Sequence, residues 1–355
     1  ENASEKGESE KQSYNFDSMV VEASYDGPRL DDGPVTMAFV EEMMERFRGE
    51  KLIHAKYVAK ILLAAKEHFK SLKSCIRVPL GKVSGDNDEE AHINVCGDTH
   101  GQFYDLCNIF SIGGMPSETN PYLFNGDFVD RGSFSFEVVL TLLALKVACP
   151  TGLYMLRGNH ETKNMNKIYG FEGEVQHKYN AAVMSVFCDV FQWLPLCAVI
   201  NDAVFVVHGG LTTDREGRVP LSEIENIRRG CEPPESGLMS DLLWADPQPM
   251  PGRSPSKRGV GFAFGPDITR NFLAHNNLSL VVRSHEVKDE GYLEEHDGKC
   301  ITIFSAPNYC DSMGNKGAFI RFEKDNKPIF NQYDAVPHPN VPPMRYAGMM
   351  GQFGF

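Results

Sequence analysis

Two stretches near the N-terminus place apolar side chains at helical spacing. Apolar positions recur every three or four residues in residues 35–48, and residues 56–73 repeat the pattern. Such stripes pack into a protein core far more often than they form a partner groove, so they predict two amphipathic helices within a core. Residues 1–18, which begin with Glu1, are Ser, Glu, Lys and Gln with little to bury, and they predict a solvated tail that continues an upstream segment.

From residue 91 onward, short β-rich runs alternate with helical patterns. The helical patterns cover residues 134–148, 175–194 and 267–275, and the last β-rich runs cover residues 280–283, 300–305 and 318–322. This alternation predicts an α/β fold. A segment rich in Pro, Gly, Ser and Arg at residues 246–265 predicts a long surface loop.

Five apolar runs end abruptly in a turn that carries Asp, Asn or His. The turns are residues 97–101, 125–132, 157–161, 208–210 and 283–286. In α/β sheets the carboxyl ends of the strands lie along one edge, where functional loops gather. We therefore expect the five turns to share one site.

The five turns together supply six side chains that suit metal ions. They are two carboxylates, three imidazoles and one amide oxygen: Asp98, Asp127, His100, His208, His285 and Asn159. Each turn alone is ordinary turn chemistry, and each His alone is more often a core histidine. Six ligands suit two ions better than one, and O and N donors without Cys favour Mn, Fe or Zn in an open catalytic site.

Composition and charge exclude several classes of function. The chain has 355 residues, of which 42% are hydrophobic, and its net charge of −13 would repel a nucleic-acid backbone, so we expect no nucleic-acid partner. The 9 cysteines include no Cys-x-x-Cys pair and follow no signal-like segment, which favours a reducing compartment. The apolar runs are shorter than the roughly 18 to 20 residues of a membrane span, so we expect no membrane crossing.

Two divalent cations would create a local anion trap in this acidic chain. They carry four positive charges, of which the two aspartates offset two, so a hydroxide and a phosphate oxyanion can offset the rest. Two such ions lower the pKa of a bridging water and clamp the oxygens of an in-line displacement at phosphorus.

Hydrolysis of an alkyl phosphate also needs a proton donor for the leaving alkoxide. His160 directly follows Asn159, and Asp130, three residues after Asp127, could hold the imidazole in the correct tautomer. The alternative for His160 is a supporting hydrogen bond.

Three further side chains are candidates to hold the phosphate oxygens. They are Arg131, Arg258 and Tyr309. A planar guanidinium matches two phosphate oxygens at once. For Arg258, the sequence leaves equally open an unpaired arginine on a solvated loop.

The motifs resemble those of the phosphoprotein phosphatase family of serine/threonine phosphatases, which are metallophosphoesterases. They are Gly-Asp-Thr-His-Gly at 97–101, Gly-Asp-Phe-Val-Asp-Arg-Gly at 126–132 and Gly-Asn-His-Glu at 158–161, with matching blocks at 208–210, 243–247, 283–286 and 305–310. The resemblance implies a β-sandwich flanked by helices, with the active site at the C-terminal ends of the strands. It also implies one metal ion on Asp98, His100 and Asp127 and a second on Asp127, Asn159, His208 and His285.

The resemblance further implies the roles of the other site residues and the reaction. His160 would be the general acid with Asp130 behind it, and Arg131, Arg258, Tyr309 and Asn159 would contact the phosphate. The implied activity is hydrolysis of phosphoserine and phosphothreonine in proteins by a metal-bridging hydroxide, in the cytoplasm and nucleus. The alternatives are a nucleotide or diester phosphohydrolase on the same dinuclear scaffold and an inactive module that binds phosphoproteins.

The predicted domain organisation is a disordered tail or linker at 1–24 and a catalytic domain at 25–355. The domain would open with helices at 25–80 and close with a segment at 344–355 that either folds against the body or forms a loose tail. One branch of the family carries N-terminal tetratricopeptide repeats that bind a heat-shock chaperone. No 34-residue helical repeat is recognisable here, so we expect that repeat domain, and chaperone docking through it, to be absent from this chain.

Overall fold

Strands and helices alternate along most of the chain. The computed structural model describes residues 18–30, 33–81 and 91–348. Its strands are β1 (Cys75–Val78), β2 (Ile93–Cys96), β3 (Tyr122–Phe124), β4 (Leu153–Met155), β5 (Cys197–Ile200), β6 (Val204–Val207), β7 (Arg253–Pro255), β8 (Phe262–Phe264), β9 (Leu280–Arg283), β10 (Tyr292–Glu295), β11 (Cys300–Ile303), β12 (Gly317–Phe322) and β13 (Pro328–Tyr333). Its α-helices are α1 (Met37–Arg48), α2 (Ala55–Lys70), α3 (Phe103–Gly113), α4 (Ser135–Ala148), α5 (Lys163–Tyr169), α6 (Phe171–Lys178), α7 (Ala181–Phe191), α8 (Leu221–Glu225), α9 (Leu238–Trp244) and α10 (Pro266–Asn276).

Two sheets face each other across an apolar interior. The six-stranded sheet has the order β1-β5-β6-β9-β11-β10, and the five-stranded sheet has the order β13-β12-β2-β3-β4. Alternate side chains of β6 show the layering, because Val204 and Val206 join the cluster between the sheets whereas Phe205 and Val207 pack outward. Because successive strand residues point to opposite faces, strands covered on both sides are apolar throughout. The predicted α/β fold is confirmed, and its two sheets form a sandwich.

Helices cover the outer faces of both sheets. The stripes of α1 and α2 pack with α3, α4, α6 and α7 in one cluster, through residues such as Phe47, Ile61, Phe136 and Phe187. The second cluster joins the six-stranded sheet to α8, α9 and α10. The two N-terminal helices therefore bury their apolar stripes in the core, as the periodicity predicts.

The structure differs from the predicted elements in two places. The helix predicted at 175–194 is divided into α6 and α7, because the Asn180 side chain accepts hydrogen bonds from the N–H groups of Ala182 and Val183 and so begins a new helix. The loop predicted at 246–265 contains the antiparallel hairpin of β7 and β8.

The five predicted turns all follow parallel strands. Strands β2, β3 and β4 run parallel in one sheet, and β6, β9 and β11 run parallel in the other. A parallel bridge between Asp98 and Phe304 joins the sheets just beyond β2 and β11. The turns after these strands consequently meet at one edge of the sandwich.

The C-terminal segment folds against the body as far as the structure describes it. Met344 is buried, and the N–H of Gly348 donates to the carbonyl of Ile168 at 3.1 Å. The rest of the segment predicted at 344–355, and residues 1–17 of the predicted tail, lie outside the described residues. Among the described helices none has the length and apolar content that a membrane span requires.

Candidate active site

Two groups of buried side chains at the shared sheet edge could hold metal ions. One consists of His100, Asp127 and His160, and the other of Asp127, His208 and His285. Asp127 belongs to both groups. Asp98 lies beside them, with its Oδ2 atom 3.7 Å from Nε2 of His100.

Backbone carbonyls set the tautomers of two of these histidines. Nδ1–H of His100 donates to the carbonyl of Val129 at 2.9 Å, and Nδ1–H of His208 donates to the carbonyl of Asn125 at 2.8 Å. Nε2 of each ring is therefore the nitrogen that faces Asp127, at 3.5 Å for His100 and 3.3 Å for His208, and it is the one available to a metal ion. This arrangement is typical of metal-binding imidazoles.

The atoms around Asn159 fit a cation. Its amide oxygen lies 2.9 Å from Nε2 of His208, and the other groups around it, Nδ1 of His285 and the Asp127 carboxylate, are also acceptors. Nε2 of His285 is buried and has no hydrogen-bond partner among the described residues. Converging lone pairs are satisfied by a cation or by an N–H donor, and the O and N donor set suits hard-to-borderline divalent metals.

The electrostatics of the two aspartates also favour a cation. Burial raises the pKa of Asp98 to about 7, with His208 opposing and the Asp127 carboxylate adding to the effect. Burial acts in the same direction on Asp127, but His208 and His160 outweigh it and hold the pKa of Asp127 well below its usual range. The two buried carboxylates repel each other, and a positive charge near both relieves the repulsion.

Five residues of the site have left-handed backbone conformations. They are His100, Asp127, Asp130, Arg131 and His285, with φ between 36° and 73°. Such conformations cost free energy for residues other than Gly and concentrate at functional sites. Gly158 shows how closely the turns approach one another, because a Cβ there would collide with the backbone nitrogen and carboxylate of Asp127.

His160 and Asp130 form a buried pair beside the candidate ligands. Nδ1–H of His160 donates to Oδ2 of Asp130 at 2.8 Å, and Asp130 also accepts from Asn166 at 3.1 Å and from the N–H of Phe171 at 2.9 Å. Burial alone lowers the pKa of His160, but Asp127 and Asp130 offset it, so that the pKa is raised. Because Nδ1 is occupied, Nε2 is the nitrogen that remains for proton exchange or for a metal.

An open cleft of about 260 Å³ lies over these groups. Arg131, Arg258 and Tyr309 line it together with His160. The Arg131 guanidinium stacks 4.0 Å from the ring centre of Tyr169, and the Tyr309 ring lies 5.1 Å from that of His100. Arg258 is paired with Asp246, with Nε 2.6 Å from Oδ2, which differs from the alternative of an unpaired arginine on a loop. The structure thus brings all the predicted site residues to one place, and their roles remain predictions.

The sequence analysis overlooked the side chains that support the ligands. Glu161 accepts hydrogen bonds from the N–H groups of Asp127, Phe128 and Gly158, all between 2.8 and 2.9 Å. The fully buried Arg283 contacts Asp246 and Glu286 behind the cleft. The three carboxylates Glu161, Asp246 and Glu286 all lie within motif blocks. The spacing of the motifs, however, does not reveal which distant groups these carboxylates contact.

Comparison with known proteins identifies the family. A family profile described as calcineurin-like phosphoesterase matches residues 91–289, which span all five turns that carry the candidate ligands. This chain belongs to the calcineurin-like phosphoesterase family.

Within that family the chain is similar to serine/threonine-protein phosphatase 5. It is 59% identical to the protein of that name from Arabidopsis thaliana over 92% of this chain and 59% of the relative, and 53% identical to that from Homo sapiens over 96% and 67%. A solved serine/threonine phosphatase from Saccharomyces cerevisiae, described as similar to human phosphatase PP5, superimposes with a TM-score of 0.82 at 43% identity, over 88% of this chain and all of that one. The chain spans about three fifths of the length of the plant relative.

One prediction about the N-terminal region is wrong. A profile described as the PPP5 TPR repeat region matches residues 2–77, so such a region is not absent from this chain. A repeat is recognised in a sequence by self-similarity, which needs at least two copies. Within the described residues of this stretch α1 and α2 form one helix pair, so no second copy there reveals the repeat.

Proposed function

We propose that this protein hydrolyses phosphoserine and phosphothreonine esters in other proteins in a metal-dependent reaction. The observation that carries the proposal is the meeting of the candidate ligands, the His160–Asp130 pair and Arg131, Arg258 and Tyr309 in one cleft. The relatives named serine/threonine-protein phosphatase 5 support the choice of substrate. Arg131, Arg258 and Tyr309 suit the oxygens of a terminal phosphate monoester, so this set of contacts does not favour a diester substrate.

Six side chains would hold two divalent ions. One ion would lie on Asp98, His100 and Asp127 and the other on Asp127, Asn159, His208 and His285. When bound, such ions supply Lewis-acid chemistry that activates water and offsets negative charge on phosphoryl oxygens. The shared position of Asp127 in both candidate groups supports this assignment.

His160 would donate the proton that the leaving serine or threonine oxygen requires. Asp130 accepts from Nδ1–H, which orients the ring, keeps Nε2 on the cleft side and stabilises the protonated form. Asp130 is itself held by Asn166 and Phe171, so the pair is rigid before substrate arrives.

Arg131, Arg258 and Tyr309 would hold the phosphate oxygens, with the Asn159 amide nearby. The two guanidinium groups provide charge-assisted, planar hydrogen bonds that match phosphate. Tyr309 stays protonated, because burial raises the pKa of its hydroxyl well above the usual range, and a protonated hydroxyl can donate to an oxyanion.

Turnover of a phosphoserine peptide with added manganese, compared with a chelated sample, tests the function. His160→Ala should lower turnover by about 10²- to 10⁴-fold, the usual contribution of a general acid, while it retains manganese. His275→Ala, an exposed histidine on α10, is the matched control and should change neither. Near-normal turnover by His160→Ala would remove the assigned acid, and faster turnover of a phosphodiester would favour a diesterase.

We further propose manganese as the working metal. The donor set contains carboxylate, imidazole and amide groups without a thiolate, which suits Mn, with Fe and Zn as the other candidates. Elemental analysis of protein purified from its own cells, without added metal, identifies the ion. A dominant content of another metal would overturn this assignment.

We also propose that the protein works in the reducing cytoplasm and nucleus. All 9 cysteines are free thiols in the structure, which suits a reducing compartment. Imaging of a tagged chain in its own cells tests the location, and accumulation in a secretory compartment would contradict it.

A further inference from the structure

Asp246 lies between two arginines of very different exposure. Its Oδ1 atom accepts from Nη2 of Arg283 at 2.7 Å, and its Oδ2 atom accepts from Nε of Arg258 at 2.6 Å. The Arg283 side chain is fully buried, whereas the Arg258 side chain is 32% exposed. Asp246 therefore connects the protein interior to a side chain at the cleft.

The inner arginine is a rigid support. Nε of Arg283 donates to the carbonyl of Gly209 at 2.6 Å, and Nη1 donates to Glu286 at 2.7 Å. Gly209 directly follows His208, so Arg283 is attached to a ligand-bearing turn. Burial alone would raise the pKa of Asp246, but Arg283 and Arg258 more than offset it, so that the carboxyl pKa is lowered and the group remains anionic.

The outer arginine needs such support. Arg258 lies between β7 and β8 in the hairpin, followed by Gly259 and Gly261 with φ of 76° and 69°. Its bonds to Asp246, together with a bond from Nη2 to the carbonyl of His285 at 3.1 Å, occupy Nε and Nη2. None of the residues that the structure describes accepts a hydrogen bond from Nη1, so that amino group remains for a ligand.

We propose that Asp246 is a positioning residue that fixes the Arg258 guanidinium for phosphate. The inference rests on the proposed function, because it takes Arg258 as a phosphate contact. A side chain that is already ordered in the free protein loses less conformational freedom when the ligand arrives. Asp246 itself does not touch the substrate, and its effect passes through Arg258.

A double-mutant cycle tests the inference. The affinity of the manganese-loaded protein for inorganic phosphate is measured by titration calorimetry for wild type, Asp246→Asn, Arg258→Ala and the double variant. Asp246→Asn should weaken phosphate binding by about ten-fold in the wild-type background, within the coupling usual for residues in contact. In the Arg258→Ala background the same change should cost about two-fold or less, because the residue that Asp246 positions is missing.

Glu286→Gln is the matched control, since Glu286 is the other carboxylate that pairs with Arg283 and forms no hydrogen bond or ion pair with Arg258 in the described structure. Its effect on phosphate affinity should be the same with and without Arg258. Equal effects of Asp246→Asn in both backgrounds would overturn the inference, as would coupling of Glu286 to Arg258 as strong as that of Asp246. Failure of the metal-loaded wild type to bind phosphate would overturn it too.

The same samples separate this inference from the proposed function. Turnover of a phosphoserine peptide by wild type reports the function, whereas the phosphate cycle reports the coupling without turnover. A protein that binds phosphate with the expected coupling but leaves the peptide intact would contradict the function alone.

Discussion

At the scale of single residues, the site depends on buried carboxylates that hold backbone turns in place. Glu161 is fully buried and binds N–H groups from the turn after β3 and the turn after β4. It therefore fixes Asp127 relative to Asn159, although it lies in neither candidate metal group. An unsatisfied buried N–H is costly, so the carboxylate is more than a packing element.

Replacement of this carboxylate should weaken metal binding. Glu161→Gln keeps the shape but turns an amide N–H₂ toward at least one backbone N–H, which should cost about 1–3 kcal/mol of unfolding free energy and lower manganese affinity. Glu174→Gln is the matched control, because Glu174 is a buried carboxylate that accepts from the N–H groups of Ser135 and Phe136, away from the ligands. Urea unfolding and manganese titration measure both effects. Wild-type manganese affinity in Glu161→Gln would contradict this role.

At the scale of elements, caps decide where helices end when the apolar pattern runs on. The pattern across 175–194 has no obvious break, but Asn180 accepts from the first N–H groups of α7 at 3.0 and 3.1 Å. The backbone turns between α6 and α7, and α6 meets the N-terminus of α4 through the half-buried Lys178 and the buried Glu137 and Glu174. A local polar side chain thus overrides the periodicity.

Loss of this cap should destabilise the protein measurably. Asn180→Ala should lower the unfolding free energy by about 1 kcal/mol, because two N–H groups lose their acceptor. Asn180→Ser, which retains a capping oxygen, should recover most of the loss. Urea denaturation of the three proteins measures the difference, and an unchanged midpoint for Asn180→Ala would show that the cap is unimportant.

At the scale of the whole molecule, the candidate metal ligands at the sheet edge link metal binding to the stability of the fold. The ligands come from turns of both sheets, so a cation that binds only the folded state holds the two sheets together at that edge. A ligand present at about 100 times its dissociation constant adds about 2.7 kcal/mol of stability.

Removal of metal should therefore lower the thermal midpoint by several degrees. Manganese should restore it in wild type, whereas Asp127→Asn, which removes charge from the shared ligand, should respond much less to chelator or to manganese. Differential scanning calorimetry of the chelated and reloaded proteins measures the shift. A midpoint that is independent of metal in wild type would contradict binding at this site.

The sequence by itself determined the class of fold and predicted the candidate residues of the site. A strand and the turn that follows it are contiguous in the chain. A strand that ends in a turn with candidate ligands is therefore a local pattern. The runs before Asp98, Asp127 and His208 were therefore recognisable one at a time, and the parallel arrangement of α/β strands implied their convergence.

The tertiary structure alone decided which distant groups support each other. Asp246 meets Arg283 across 37 positions in the chain, and Glu161 meets the N–H of Asp127 across 34. No spacing rule connects such pairs. Glu161 reaches Asp127 because β3 and β4 are neighbours in one sheet, and Asp246 reaches Arg283 because α9 packs on the six-stranded sheet. The residues that could bind metal and phosphate were thus readable from the chain, whereas the partners that hold them became visible only in the folded protein, because those partners are neighbours in space alone.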